Sequence, residues 1–384
     1  MNSDKNEEIN ENLVEEEIQK NIAEMNKLLK DNPEKHLEEG TWFSKVLNKV
    51  IGDTKNLNAE YFTKKYVGLD KDNIAKKLIN HASYKTAIIG GTAAAAITGL
   101  QFAAVPTLGT SVAAIGSAII GEFAAITYIQ LKLVYELSVL YNAKLDPDDP
   151  EDILTVFWYT LGVNKWEEFG NLALKGGGRA GEYLGRKALR SFNITKALQK
   201  AGKALGGREL AKKITEKSLL KLLVPGVNIA IASGMNKIFT HNLGKHAIKT
   251  FRRRALAIDN INQLMKHDRS YQLITIPLIY HVGINDIKKP NKVIEMQNTT
   301  FKYLKTNEEE NDTINELVSI DIEEFCELIT EINNEKVRQI IGDIALISHI
   351  LSSRNNEEII HQVSKSLGIE FSKEYKEKMK KRVE

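Results

Sequence analysis

The sequence lacks the residues that would build a covalently stabilised or metal-stabilised fold. Its 384 residues include one cysteine, Cys326, which excludes an internal disulfide and any zinc site with two or more thiolates. Proline is also scarce, with seven residues, so helices are favoured over strands. Hydrophobic residues make up 42% of the chain and charged residues 27%, a balance that supports a packed core and excludes extensive disorder. We therefore predict an all-α protein of about two or three domains.

Charge is almost absent from one internal stretch. Residues 86–131 contain no Lys, Arg or Asp and a single acidic residue. Small residues recur there at every fourth position, which places them on one face of a helix, and a Pro-Gly break near the middle divides the stretch into two helices. We predict a helical hairpin whose backbones approach closely. The residues assigned to its packing are Gly91, Gly99, Pro106, Gly109, Gly121 and Glu122.

The sequence leaves three interpretations of this hairpin open. Its first helix has 19 uncharged residues (86–104), which is close to the roughly 20 residues that a transmembrane helix needs. However, alanine, glycine and threonine contribute little transfer free energy, and Glu122 would cost roughly 2.5–3.5 kcal/mol at the centre of a bilayer. The hairpin is therefore a buried core element, a membrane-inserted or re-entrant element, or a switch between the two.

The net charge of +3 conceals a strong separation of charge along the chain. Residues 1–39 hold 12 acidic and 5 basic residues, residues 175–254 hold 3 and 19, and residues 308–358 hold 14 and 3. The basic segment has few aromatic residues for base stacking, so nucleic acid is not a predicted partner. We predict that it binds anionic membrane lipid, with the chain's own acidic segments as the alternative partner. The predicted membrane-binding residues are Lys196, Lys200, Lys203, Lys212, Lys213, Lys217, Lys249, Arg252, Arg253 and Arg254.

Signals for secretion, catalysis and metal binding are also missing. The N-terminus is acidic and has no apolar core, so we expect a cytoplasmic protein without a signal peptide that associates peripherally with the membrane. The glycine-rich segment 176–181 has G-x-G-x-x-G spacing but no preceding strand pattern and no acidic residue about 20 positions later. The eight histidines form no metal-binding pair. We predict no enzymatic activity, no cofactor and no metal site.

A set of small, apolar and basic residues is distributed over residues 82–254. It comprises the hairpin break at Pro106 and Gly109, Tyr141 ahead of Leu145-Asp146-Pro147, Val224-Pro225-Gly226 with Asn228 and Asn236, and Phe239, Gly244 and Phe251 before Arg252-Arg253-Arg254. This region resembles the EcsC family, which is named for its association with an ABC transporter locus. The resemblance implies a helical, membrane-associated module and transfers no catalytic residue.

The C-terminal region has apolar residues spaced three and four apart, which predicts helices over 320–332, 335–352, 356–367 and 372–382. The helix, turn and helix that end in Leu367-Gly368-Ile369 resemble the TerB-like helical fold. That family often carries an Asp-Gly and a later Glu around the turn, where a cation can bind. Here the turn contains Ser353 and Arg354 instead, so the resemblance carries over the fold and no metal site.

These observations predict a chain of three parts. They are an acidic N-terminal helical arm (1–60), an EcsC-like helical domain (61–265) and a TerB-like helical bundle (268–384). We predict a non-enzymatic membrane-associated accessory or scaffold protein, whose basic centre binds anionic lipid and whose acidic C-terminal domain binds a partner. The alternatives are an effector whose hairpin inserts into a membrane when triggered, and an enzyme with an unrecognised site. Self-association and a membrane-protein or transporter partner stay open.

Overall fold

The computed structural model describes residues 11–31, 36, 41–103, 110–146, 149, 152, 227–284, 291–352 and 357–383, with the backbone alone at 11 and 291 and over 92–103, 110–120 and 227–232. Every regular element in these ranges is a helix, which confirms the all-α prediction. Contacts between Cα atoms divide the described residues into two units. Unit 1 contains the residues up to 140, 144–152 and 227–247, and unit 2 contains 141–143 and the residues from 248 onward.

Unit 1 contains the helices α1 (Glu11–Leu28), α2 (Thr41–Thr54), α3 (Ala59–Lys65), α4 (Lys71–Ala103) and α5 (Thr110–Leu140). It also contains the first part of α6 (Val227–Leu264), because the division between the units falls between Ala247 and Ile248. The predicted hairpin corresponds to α4 and α5, which are 33 and 31 residues long and pack against each other. Its first helix begins at Lys71, well before the uncharged stretch.

The acidic arm packs on the hairpin. Helix α1 contacts α4 and α5, and it buries Val14, Ile18 and Met25, which share one helix face. Helix α2 contacts α5, where the ring of Trp42 lies 4.9 Å from the ring of Phe123. The buried face of the arm is therefore covered by the hairpin helices, although Leu13 stays exposed, and the arm belongs to the core of unit 1.

Unit 2 is built around one buried helix. After α6 come α7 (Arg269–Leu273), α8 (Thr275–Ile279), a π-helical turn (Tyr280–Ile284), α9 (Asn291–Leu304), α10 (Glu308–Ser319) and α11 (Ile322–Thr330). The last three helices are α12 (Glu335–Ser352), α13 (Glu357–Leu367) and α14 (Lys373–Val383). Helix α12 contacts α8, α9, α13 and α14, and its buried face holds isoleucines at positions 340, 341, 344 and 347. The four helices predicted for this region are confirmed.

Part of the acidic C-terminal segment stabilises helix ends. Asn307 and Glu310 form a capping box at the start of α10, and Asp321 caps α11 by accepting from the backbone N–H of Glu324 at 2.8 Å. Arg269 donates to both carboxylate oxygens of Glu310, at 2.7 and 2.9 Å. This bidentate pair, with the capping contact to Asn307, lowers the pKa of Glu310 to about 2. Local acidic charge here has a structural role.

Candidate functional site

One face of α6 exposes large apolar side chains. Met235, Ile238 and Phe239 are 56%, 63% and 37% exposed, and their spacing of three and four residues places them on the same side of the helix. The side turned away from the stripe is buried in unit 1 through Thr240, Gly244 and Ala247, and the stripe ends at Leu243, which is buried one turn after Phe239. The helix is therefore held by its inner face and presents an apolar stripe outward, which is unusual because isolated surface apolar residues are common but aligned ones are not.

Positive charge accompanies this stripe. Lys237, Lys245 and His246 are exposed, and α6 contains no Asp or Glu before Asp259. Partial burial, and the charges of Lys245 and Lys237, lower the pKa of His241, so this imidazole is neutral at pH 7. We call the six exposed residues together the α6 surface. They are Met235, Lys237, Ile238, Phe239, Lys245 and His246.

The inner face of α6 is fixed by polar contacts and by close packing. The Oγ1 atom of Thr240 accepts hydrogen bonds from Thr86 on α4 at 2.9 Å and from Gln130 on α5 at 3.1 Å. A Cβ atom built on Gly244 would lie 2.4 Å from Cγ1 of Ile79, so only glycine allows α6 to approach α4 this closely. Since these contacts leave little room for rotation of the helix, the α6 surface has a defined orientation on unit 1.

The predicted membrane-binding residues fall into three groups. Lys249 is exposed on α6 in unit 2, and Arg252 is half-buried with its guanidinium 5.8 Å from the centre of the Tyr141 ring. Arg254 is buried, and Nη2 of Arg253 lies 3.2 Å from Oε2 of Glu295, so both side chains are engaged inside unit 2. The remaining predicted residues lie outside the described residues; they are Lys196, Lys200, Lys203, Lys212, Lys213 and Lys217.

The structure describes some of the residues that were predicted to pack the hairpin. Gly91 is half-buried in α4, Gly99 lies in the part of α4 described by its backbone alone, and Pro106 and Gly109 lie outside the described residues. Gly121 faces α1, because a Cβ atom at this position would lie 2.0 Å from Oδ1 of Asn26. Glu122 is buried. One member of the small-residue stripe thus makes room for the acidic arm.

Charged groups between the helices of unit 1 pair with one another. Glu17 on α1 lies 2.6 Å from Lys85 on α4. Burial opposes the ionisation of Glu17, but its hydrogen bond to Lys85 and the charges of Lys85 and Lys132 together outweigh burial and lower the pKa of Glu17. Burial raises the pKa of Glu136, which Lys132 and Lys85 only partly counteract. This cluster of both signs neutralises charge inside the hairpin and indicates no ligand.

A second cluster connects three helices. Lys49 on α2 contacts Glu24 on α1 and Asp53 at 2.9 Å each, and the Tyr128 hydroxyl on α5 donates to Asp53 at 2.6 Å. Burial and this hydrogen bond raise the pKa of Tyr128. Glu17 and Asp53 of the acidic arm therefore contact Lys85 and Tyr128 of the hairpin and attach the arm to it, whereas the pair of Glu24 and Lys49 lies within the arm.

A groove of about 690 Å³ lies in unit 2, on α13 and the connection to α14. Its apolar part includes Ile360, Ile369 and Phe371, and its rim carries both acidic and basic residues. Lys376 contacts Glu357 at 2.5 Å, so two of the rim charges neutralise each other. Because the rim charges are of both signs and partly paired with each other, the groove does not indicate a particular class of ligand.

The described residues offer little for catalysis. Burial raises the pKa of the Cys326 thiol, which keeps it protonated and unreactive at pH 7. In the parts of the chain that the structure describes, no group of three or more His, Cys, Asp or Glu side chains is arranged to hold a metal ion. His281 is buried, and its Nε2 atom lies 2.9 Å from the carbonyl oxygen of Leu317, a contact between elements of the core of unit 2.

One segment among the described residues, Gly121–Leu140 of α5, is long and apolar enough to cross a bilayer. Most of it, 78%, is buried inside the protein, and a central core helix meets the same criterion of length and composition. The length and composition of this segment alone do not distinguish a membrane span from a core helix.

Comparison of the chain with protein-family models, with curated proteins and with solved structures finds no match. The resemblances to the EcsC and TerB-like families stay predictions.

Met235 and Ile238 were not among the residues predicted to bind a partner. The available signal was their spacing with Phe239 in a stretch of helix without acidic residues, but the same pattern is typical of a buried face. Only the fold distinguishes an exposed apolar face from a buried one, because it places Leu243 and Gly244 inward and the apolar stripe outward.

Proposed function

We propose that this chain is a non-enzymatic, membrane-associated accessory or scaffold protein that binds the surface of an anionic membrane through the α6 surface. The observation that carries the proposal is the alignment of Met235, Ile238 and Phe239 on one side of α6, with the exposed Lys245 two turns after Ile238 on the same side and no acidic residue before Asp259. Apolar side chains enter the boundary between headgroups and acyl chains, while lysines remain at the level of the phosphates. A partner of the acidic C-terminal domain stays a prediction.

The expected affinity is modest. Each lysine near an anionic surface contributes about 1 kcal/mol, and each partly exposed apolar side chain contributes about as much when the lipid covers it. Three apolar residues and two lysines then give about 5 kcal/mol, which corresponds to a dissociation constant on the order of 10⁻⁴ M. Such binding is reversible and sensitive to salt, as expected of a peripheral protein.

Surface attachment agrees with the described contacts better than insertion of the hairpin does. Helices α1 and α2 both pack on α5, and the apolar segment Gly121–Leu140 is largely buried by protein. Insertion would have to remove the arm and break the Glu17–Lys85 pair and the hydrogen bond from Tyr128 to Asp53. The α6 surface needs no such rearrangement, because its apolar residues are already exposed.

Vesicle flotation tests the proposal. The full chain should float with vesicles of phosphatidylcholine and phosphatidylglycerol at low salt, and should be released by high salt or by omission of phosphatidylglycerol. The double variant Lys237→Glu/Lys245→Glu should bind at least about tenfold more weakly, because two positive charges of the α6 surface become negative and the net charge falls by four units. These side chains are exposed, so the fold should be preserved.

The matched control reverses two exposed lysines on α14, Lys378→Glu/Lys381→Glu, and should bind like the wild type. An encapsulated dye should stay in the vesicles throughout. Equal weakening in both double variants would mean that overall charge and not the α6 surface drives binding. Absence of flotation at any salt concentration would refute the proposed function, and dye release at saturating protein would favour the membrane-inserting effector.

A further inference from the structure

The exposed side of α6 continues beyond its apolar stripe with polar residues. Asn242, Lys245 and His246 are all exposed. Asn242 comes one turn after Ile238 and Phe239, and Lys245 and His246 come one further turn along the helix. Because positions three, four and seven apart share a helix face, these polar side chains lie on the same side of α6 as the stripe.

The three polar side chains are neighbours with free donor groups. Asn242 precedes Lys245 by three positions and His246 by four, spacings at which Cβ atoms on a helix are about 5–6 Å apart. An amide, an ammonium and an imidazole each supply an N–H donor. None of these side chains has a hydrogen bond or an ion pair with the described residues. One turn of α6 therefore offers three donors to a single ligand.

The charge around these donors is positive. Helix α6 contains no Asp or Glu before Asp259. Partial burial and the charges of Lys245 and Lys237 lower the pKa of His241, the residue before Asn242, and no acidic group in the described parts of the chain counteracts them. The lysine ammonium is therefore not neutralised by a neighbouring carboxylate, and the ligand that this turn attracts is an anion.

The number of donors indicates which anion fits best. A phosphomonoester presents three strong acceptor oxygens and nearly two negative charges at neutral pH. The amide of Asn242, the ammonium of Lys245 and the imidazole of His246 can then each donate to a different oxygen. A phosphodiester such as that of phosphatidylglycerol has one free oxygen fewer, so one of the three donors would be left without an acceptor.

The position of the donors next to the stripe favours a lipid over a soluble phosphate. Their mean position lies about seven residues beyond that of the apolar residues, or roughly 10 Å along the helix axis. The acyl chains of a lipid can lie against the exposed apolar side chains while its phosphate reaches the donors. A soluble phosphate would leave the stripe uncovered.

We propose that Asn242, Lys245 and His246 bind the terminal phosphate of a phosphomonoester lipid such as phosphatidic acid. This inference rests on the proposed function and extends it, because it names the headgroup that the exposed side of α6 prefers. Electrostatic attraction brings the protein to any anionic bilayer, whereas the three donors distinguish one headgroup from another.

Flotation with two kinds of vesicle tests this inference. Phosphatidylcholine vesicles contain either phosphatidic acid or phosphatidylglycerol, in amounts that give the same zeta potential, so that non-specific attraction is equal. The full chain should bind the phosphatidic acid vesicles about fivefold more tightly, because one more hydrogen bond to a charged group is formed. The variant Asn242→Ala/His246→Ala, which keeps both lysines of the α6 surface, should lower this ratio to about one.

The matched control, Asn333→Ala/His361→Ala, removes the same two side chains from exposed positions in unit 2 and should keep the ratio of the wild type. Both variants should retain the helical circular dichroism spectrum, because the replaced side chains are exposed. Equal binding of the wild type to both kinds of vesicle would overturn the inference and leave the proposed function standing. A preference that survives in Asn242→Ala/His246→Ala would overturn it as well. If the protein floats with neither, both the proposed function and this inference are refuted.

Discussion

Replacement of Gly244 by alanine is expected to lower the free energy of unfolding by about 1–2 kcal/mol, although alanine favours helix. A Cβ atom at this position would lie 2.4 and 2.8 Å from Cγ1 and Cδ1 of Ile79, a buried and branched side chain that cannot move without displacing its neighbours. The cost of overpacking, typically about 1–3 kcal/mol, exceeds the gain of roughly 1 kcal/mol in helix propensity. A leucine at this position should cost still more.

Gly234 in the same helix supplies the matched control. No atom lies within 4 Å of a Cβ built there, so Gly234→Ala should raise the free energy of unfolding by up to about 1 kcal/mol. Urea denaturation followed by circular dichroism measures both variants, and an unchanged m-value would show that the compared states are the same. If both replacements stabilise the protein equally, α6 does not approach α4 as closely as described, and the orientation of the α6 surface is undermined.

Removal of the Arg253 side chain should destabilise the protein by about 2–3 kcal/mol. Its Nη2 atom lies 3.2 Å from Glu295 and 3.1 Å from Oγ1 of Thr250, with the side chain 10% exposed. Loss of one partner from a buried ion pair costs about 3–5 kcal/mol, and the partial exposure of Glu295, 24%, reduces this cost. Arg253→Ala should therefore impair stability, which separates this residue from a membrane-binding role.

The effect should depend on pH. Burial already raises the pKa of Glu295 against the opposing charge of Arg253, and removal of that charge raises it further. A carboxyl group whose folded pKa lies above its unfolded value loses stability as pH rises, so the cost of Arg253→Ala should be smallest below about pH 4.5 and should grow toward neutrality. Arg252→Ala, which loses a contact with the Tyr141 ring, should cost about 0.5–1 kcal/mol. An Arg253→Ala cost as small as that of Arg252→Ala, and constant with pH, would contradict the described pairing.

The helical class and much of the C-terminal organisation could be predicted from the sequence, because the periodicity of apolar residues is local. The three and four spacing of isoleucines predicted α12, whereas α10, which begins at a capping box of Asn307 and Glu310, was not among the predicted helices. The hairpin could be predicted for the same reason, since small residues at every fourth position must share a face.

The partners of those faces could not be predicted. The sequence suggests that Gly121 serves contact between the hairpin helices, but Asn26 of the acidic arm occupies that side. Likewise, the sequence predicts one basic surface over Arg252–Arg254. In the structure, Arg253 and Arg254 are directed into unit 2 instead. The rotation of a helix about its own axis, relative to the helices it packs on, is set by tertiary contacts. This rotation determines which residues of α6 are exposed.

Binding of the Ile238→Asp variant to anionic vesicles is the most direct test of the central claim, that the exposed face of α6 binds a membrane. Ile238 is 63% exposed, so the replacement should preserve the helical circular dichroism spectrum. The control is Leu328→Asp on α11 of unit 2, where a leucine is also exposed. We expect Ile238→Asp to partition at least about tenfold more weakly than the wild type, and Leu328→Asp to be unchanged. Partitioning of Ile238→Asp equal to that of the wild type would contradict the account.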